Sequence, residues 1–361
     1  MYSFNSLRTL LQYIFGVQSI LLNTFLIFLI WNRSPKQLGT YKYMMMYISI
    51  FEMIYSIIDI IVEPIVHSYR STMAVAMYTK NSIFGDSFNH FLIATYCGFY
   101  GSSMAIFGVH FIYRYGSTTL STRSRYFEGH AIVVWISIPI VFFVISMITI
   151  VELLPPNETM TKFIRGSFFD KFGIGMEDVT YVGAHFYPID DQDHPYINYR
   201  SFYGIALFLS MIMFSMFCVL YYGIRCYLKI WRELSTATIV SKVTRRLQKQ
   251  LFNALVVQTA IPMTLMYVPV AAVFTAPIFE MDFTAIEHIC PITIAIYPAI
   301  DPLPSIIIID AFWDAVYGKM DHDPAVFHNY IGSSKEDAPT IRFETFRIRE
   351  DCQNHHEMPK L

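Results

Sequence analysis

The sequence predicts an all-α fold, a bundle of seven membrane-spanning helices with the N-terminus outside and the C-terminus in the cytosol. Three observations predict it. Seven apolar stretches, roughly 10–31, 43–62, 91–113, 131–151, 201–222, 251–276 and 288–309, each hold about 20 residues or more, enough to cross a hydrocarbon core of about 30 Å as a helix. The 361-residue chain is 54% hydrophobic and 15% charged, with a mean hydropathy of +0.41, so one membrane domain accounts for most of it. Lys and Arg also alternate in density between the connections, numbered one to six. Connections one, three and five and the C-terminal tail carry 19 of the 26, whereas the N-terminus and connections two, four and six carry seven, which puts the basic set in the cytosol. The net charge of −2 is uninformative, because a bilayer sorts charges in space.

Residues 1–320 read as the seven-span domain and 321–361 as a polar cytosolic tail, expected to be disordered. No basic segment or small-residue cleavage site precedes Leu10–Trp31, so that stretch is expected to be kept as helix one, with Gln18 and Asn23 in an otherwise apolar run. In helix two, Ser49, Glu52, Ser56, Asp59 and Glu63 form one polar stripe at helical spacing. Each carboxylate inside a membrane costs roughly 2.5–3.5 kcal/mol, so the stripe must face protein or water. Binding a ligand, coordinating a cation and hydrogen-bonding neighbouring helices all satisfy that demand. Pro64 ends the run.

Helix three carries a second stripe of Tyr96, Tyr100, Ser103, Phe107, His110 and Arg114, and its Gly98, Gly101 and Gly108 permit close approach of neighbours. Tyr96, Tyr100, Asp59 and Glu52 are the ligand-pocket candidates, each equally readable as packing. Arg114 and Tyr115 fall at the inner boundary, where an arginine also snorkels to headgroups. Helix four is featureless apart from Pro139. Connection four, about 49 residues of acids, aromatics and prolines, is long enough to cover the outer mouth. Its sequon Asn157-Glu158-Thr159 makes Asn157 a glycosylation candidate on the outside, while Asn32-Arg33-Ser34 falls in the cytosol and should be silent.

Connection five is basic, and Ser241–Gln250, with Arg245 and Arg246, reads as a cytosolic extension of helix six. Pro262 and Pro269 each remove a backbone hydrogen bond and should kink that helix. In helix seven Pro298, Pro302 and Pro304 flank Asp301, marking a broken helix. After it, Phe312, Trp313, Val316, Tyr317 and Met320 share a face suited to the inner membrane surface. Five cysteines at irregular spacing make neither a disulfide framework nor a zinc site. Cys97 and Cys290 are both placed toward the outside, either bridged or as buried thiols. Enzyme signatures are missing: no H-E-x-x-H, G-x-S-x-G, Walker loop or membrane histidine cluster is present. No internal repeat suggests a transporter.

Four segments, Leu38–Tyr69, His110–Ser117, Ser241–Pro262 and Ile296–Asp310, together resemble the nematode serpentine chemoreceptors, specifically the large Str group that includes the class r odorant receptors. The resemblance covers nearly the whole chain except the tail. It implies a seven-helix G-protein-coupled receptor for volatile or water-soluble cues, in the plasma membrane of sensory cilia on chemosensory neurons. It implies a heterotrimeric G protein and the lipid bilayer as partners, and no cofactor, metal, nucleic acid or covalent chemistry. Tyr113-Arg114-Tyr115 looks like the arginine motif at the inner end of helix three in rhodopsin-like receptors, and Asp301-Pro302 like their Asn-Pro pair. Two departures stand out: connection four has no cysteine to bridge to helix three, and no acid precedes Arg114. The expected mechanism is a population shift on ligand binding, flexing at Pro262 and Pro298–Pro304 and opening the face around Arg114, Arg245 and Arg246. The rivals are a ligand-gated cation channel of the insect odorant-receptor kind, which has the opposite topology, and a transporter.

Overall fold

The computed structural model describes residues 2–80, 82–117, 126, 127, 129–190, 192, 194–235, 242–281 and 284–317. The proposed tail at 321–361, Met320 and Cys352 lie outside the described residues, as do Arg123 and Arg125. Among those described, seven helices are long and apolar enough to cross a membrane, one for each predicted stretch. Span one is α1 (Tyr2–Arg33), span two α2 (Tyr41–Val62), span three α3 (Asp86–Ser117) and span four α4 (Ala131–Leu153). After the short helix α5 (Glu158–Phe172), span five is α6 (Tyr199–Ser235). Span six joins α7 (Lys242–Pro262) to α8 (Val268–Thr275) through a π-helical turn at Met263–Tyr267. Span seven is α9 (Thr284–Ile300) and α10 (Pro302–Ile308), followed by α11 (Asp310–Val316).

Span three is the centre of the bundle: 94% of its apolar window is buried, against 11% for span four. Small residues make this possible. A Cβ on Gly101 would run into Ser146 of span four and Phe208 of span five, and one on Gly98 would come within 2.9 Å of Phe143. Such contacts let helices pack where lipid gives no hydrophobic drive between them.

The two proline sites do different things. Pro262 has no N–H, and the span goes on through a wider π turn rather than breaking. At Asp301 the seventh span does break. Pro302 cannot donate to the carbonyl of Pro298 four residues back. Asn23 Nδ2 of span one donates to that carbonyl instead, at 3.1 Å, so the orphaned acceptor ties span one to span seven.

A three-stranded antiparallel sheet, absent from the sequence-based expectation, covers one end of the bundle: β1 (Ile65–Tyr69), β2 (Thr72–Tyr78) and β3 (Val179–His185), in that order. The tight turn between β1 and β2 sets Tyr69 opposite Thr72, with Arg70 at φ 47°. Strand alternation gives the sheet two buried faces. Val66, Met73, Val75 and Val182 face the bundle, while Ile65, Ala74, Ala76 and Tyr181 pack under α5. That helix supplies Met160, Ile164, Phe168 and Phe172, one per turn. Asn157, exposed, caps it by accepting from the Met160 amide at 2.8 Å.

At the other end, Phe312 of α11 is fully buried beside Leu26, Ile30 and Met44. Val316 and Tyr317 are exposed. The segment after span seven is thus pinned to the bundle by Phe312, with Ala311 and Ala315 packed beside it and Val316 and Tyr317 left outside.

Candidate functional site

Beneath the sheet lies a cavity of about 50 Å³. Tyr96, Cys97 and Tyr100 of span three form one wall, with Ile150 and Leu154 of span four and Ile205 and Phe208 of span five beside them. Val270, Val273 and Phe274 of span six and Cys290 and Ile294 of span seven close the other side. Val66, Met73, Val75, Val182 and Gly183 of the sheet form the roof. Tyr100 stacks on Phe208 with ring centroids 6.0 Å apart and meets Tyr267 of span six at 5.4 Å. The Tyr267 hydroxyl is 2.6 Å from Ser103 Oγ. Polar groups are few. The Tyr96 hydroxyl is buried without a hydrogen-bond partner, and Cys97 and Cys290 are free thiols. Such a space suits a small, uncharged, mostly apolar molecule, with a tyrosine hydroxyl available to one acceptor.

Of the four pocket candidates in the sequence, Tyr96 and Tyr100 line this cavity, whereas Glu52 and Asp59 do not. Glu52 belongs to a polar cluster deeper in the bundle. Its Oε1 accepts from the Tyr297 hydroxyl at 3.1 Å, and its carboxyl is within hydrogen-bonding reach of Asp301. Gln258 of span six donates to Asp301 Oδ2 at 2.9 Å and to its backbone oxygen at 3.0 Å. Ser305 Oγ donates to Gln258 Oε1 at 3.2 Å. Spans two, six and seven therefore meet where span seven breaks. Asp301 and Pro302 form that break, and Pro262 lies one turn beyond Gln258 in span six.

At the end opposite the sheet, Arg114 is buried, 3% exposed, rather than reaching outward. Its guanidinium lies 3.6 Å from the ring centroid of Tyr41 in span two. Its Nη1 donates to Gln248 Oε1 of span six at 2.8 Å. Arg114 has no acidic partner among the described residues, so the link from span three to span six is a neutral amide. Tyr115 accepts a 3.4 Å hydrogen bond from Arg225. Arg246 is exposed and pairs with Asp310 at 2.6 Å, while Arg245 is half-buried.

Sequence reasoning missed the roof. Its one signal was the alternation in Thr72–Tyr78, which is masked because both faces are buried. Phe208, Phe274 and Cys290 carry no sequence signal that separates them from ordinary bundle packing.

The family model for the serpentine type 7TM GPCR chemoreceptor Str matches residues 8–317. The chain is 33% identical to the G-protein coupled receptor str-217 of Caenorhabditis elegans over 299 residues, covering 83% of this chain and 86% of that one. It is 31% identical to serpentine receptor class r-10 of C. elegans over 289 residues, 78% of this chain and 82% of that one. With its counterpart in Caenorhabditis briggsae it is 30% identical over 300 residues, 82% and 85% of the two chains.

Proposed function

Because the chain belongs to the Str family of serpentine seven-transmembrane chemoreceptors, we propose that it detects a small external chemical and activates a heterotrimeric G protein. The observation that carries this reading is the roofed, apolar cavity between spans three to seven, with Tyr96 and Tyr100 on its wall. A ligand there touches spans six and seven, which meet at Asp301, and span three, which carries Arg114, so differential affinity for two packings of the bundle is enough to shift their populations. The cue is an odorant or a small water-soluble molecule with an apolar body, and the receptor needs no cofactor and performs no covalent chemistry.

The sheet faces the exterior and the Arg114 end the cytosol, as the Lys and Arg asymmetry requires. The protein then sits in the plasma membrane as a multi-pass receptor, in the sensory cilium of a chemosensory neuron, with Asn157 glycosylated. Residues 1–320 are the receptor domain and 321–361 its cytosolic tail.

A screen in a heterologous cell carrying a promiscuous G protein, with a panel of small volatile and soluble compounds, tests the reading. A response that needs the G protein and is lost on filling the cavity by Val273→Trp supports it. A ligand-evoked current that survives G-protein block would instead make it a channel, and net ligand uptake a transporter. Labelling of an N-terminal tag without permeabilisation tests the orientation.

A further inference from the structure

A groove of about 250 Å³ opens at the Arg114 end of the bundle, among spans three, four and five. Tyr115 and Gly116 of span three, Tyr126 and Phe127 before span four, Trp135 of span four and Lys229 of span five line it. It shares no lining residue with the roofed cavity. A Cβ on Gly116 would run into the Phe127 ring, so Phe127 lies directly on the backbone of span three. Phe127 stacks on Trp135 with ring centroids 5.1 Å apart. The Trp135 indole N–H donates to the Tyr126 carbonyl at 2.8 Å. The floor of the groove is therefore aromatic and built from three consecutive stretches of chain.

One edge of the groove is cationic. Lys229 Nζ lies 5.4 Å and the Arg225 guanidinium 5.8 Å from the centroid of the Tyr115 ring. Four residues apart, the two share a face of span five, where like charges disfavour each other. None of the lining residues is acidic. Lys229 and Trp135 lie about one turn or less from the ends of their apolar stretches, at Ile230 and Ala131. That is headgroup depth, where tryptophan and tyrosine collect. Their neighbours in sequence, Val133, Val134, Ile224 and Leu228, are exposed and bring the lipid-facing surface up to the groove. An occupant that answers both halves has an anionic head and an apolar body. A soluble anion would leave the aromatic floor wet, and a zwitterionic lipid brings no net charge to the cations.

We propose that this groove binds an anionic phospholipid of the inner leaflet, such as phosphatidylserine, by its headgroup. The phosphate takes its N–H donors from Lys229 and Arg225. The glycerol end covers the Trp135 and Phe127 rings, and the acyl chains pass into the bilayer beside spans four and five. Such basic pockets between spanning helices are where anionic headgroups settle. Occupancy fastens span five to span three one residue from Arg114. The leaflet rests on the orientation proposed above, whereas the binding is measured without a ligand or a G protein.

The test is quenching of tryptophan emission in the purified full-length receptor, held in phosphatidylcholine nanodiscs. A minor fraction of the lipid is brominated in its acyl chains, as phosphatidylserine in one sample and phosphatidylcholine in the other. The Trp135 signal is the difference between the unmutated receptor and Trp135→Phe. Brominated phosphatidylserine is expected to compete for the groove about fivefold or more better than its choline counterpart, the factor one cation near an anionic headgroup supplies. Arg225→Gln with Lys229→Gln should bring that ratio to one. Arg33→Gln with Lys36→Gln, an equal loss of charge at the same membrane face, should keep it. Glycerophosphoserine, the soluble headgroup, should leave the quenching unchanged at constant ionic strength. Equal quenching of the unmutated receptor by the two lipids would overturn the site whether or not the variants fold. So would a preference that survives in Arg225→Gln with Lys229→Gln. Recovery of Trp135 emission with glycerophosphoserine would overturn the lipid assignment in favour of a soluble anion.

Discussion

Lys171 Nζ lies 3.0 Å from Glu287 Oε1, joining the helix that covers the sheet to the start of span seven. Glu287 is wholly buried and Lys171 about one-fifth exposed. The other carboxylate oxygen of Glu287 is 3.2 Å from His67 Nδ1 on β1, and His67 Nε2 is 3.0 Å from Ser167 Oγ on α5. The cavity roof is thereby fastened to the span that breaks at Asp301. A molecule that lifts or settles the roof pulls on span seven.

Lys171→Met should loosen this fastening. It leaves the buried Glu287 carboxylate without its lysine, a change that costs about 3–5 kcal/mol in a fully buried pair and less here, because Lys171 is one-fifth exposed. The expected outcome is a lower Tm for the purified receptor and faster hydrogen exchange across 158–185. Lys171→Arg should keep most of the protection. Unchanged exchange in Lys171→Met would mean that the roof is held by its apolar faces alone.

At the far end the Arg114–Gln248 contact holds spans three and six together without an acid. Gln248→Leu removes one charge-assisted hydrogen bond, worth about 1.5 kcal/mol or more, and should raise ligand-independent signalling several-fold. Arg114→Ala, and separately neutralisation of Arg245 with Arg246, should lower the maximal response at matched surface levels. Basal activity of Gln248→Leu equal to that of the unmutated receptor would show that the contact does not hold the resting packing.

His185, at the end of β3, should make the roof sensitive to acid. Both its ring nitrogens lack partners, and its ring packs on Phe163. Burial lowers its pKa to about 4, from an ordinary value of about 6.5. Between those values an opened roof takes up a proton that the closed roof refuses, so closure is strongest above about pH 6.5 and weakens as pH falls toward 4. Hydrogen exchange across 179–185, measured down that range, should show the loss, and His185→Gln should flatten it. An identical slope in His185→Gln would assign the acid sensitivity elsewhere.

The spans were legible because each is a long apolar run, and the break at Asp301 because three prolines surround a carboxylate. The sheet was not. Its strands are five and seven residues long, and β2 reads TMAVAMY. With both faces buried it lacks the polar alternation that marks a half-exposed strand. The stripe on span two was legible as a stripe, but not as two sites. Its period puts Glu52 and Asp59 on one face, yet seven residues, about 10 Å of helix, separate them. One therefore meets Asp301, while the other lies nearer Arg8 and Glu63. Arg114 was read as a boundary residue because sequence says nothing about the Tyr41 ring and the Gln248 amide that enclose it.

The last expectation concerns Glu52 and Asp301, which meet where spans two, six and seven converge. Two carboxyls in contact attract only when a proton lies between them, and repel when both are ionised. Asp301→Asn replaces that proton by an amide N–H, while its remaining oxygen still accepts from Gln258. The variant should fold and reach the surface, but its basal activity or ligand sensitivity should shift, and the pH dependence of the response should flatten. Glu52→Gln, which keeps an acceptor for the Tyr297 hydroxyl, should behave alike. Asp301→Leu, which strands one N–H of the Gln258 amide while its bond to the backbone oxygen remains, should be the less stable of the aspartate variants by about 1–3 kcal/mol. Measurement of surface level, basal signal and concentration response across pH for the three variants decides the matter. If both amide variants match the unmutated receptor in all of these, the pair is packing and the switch lies elsewhere.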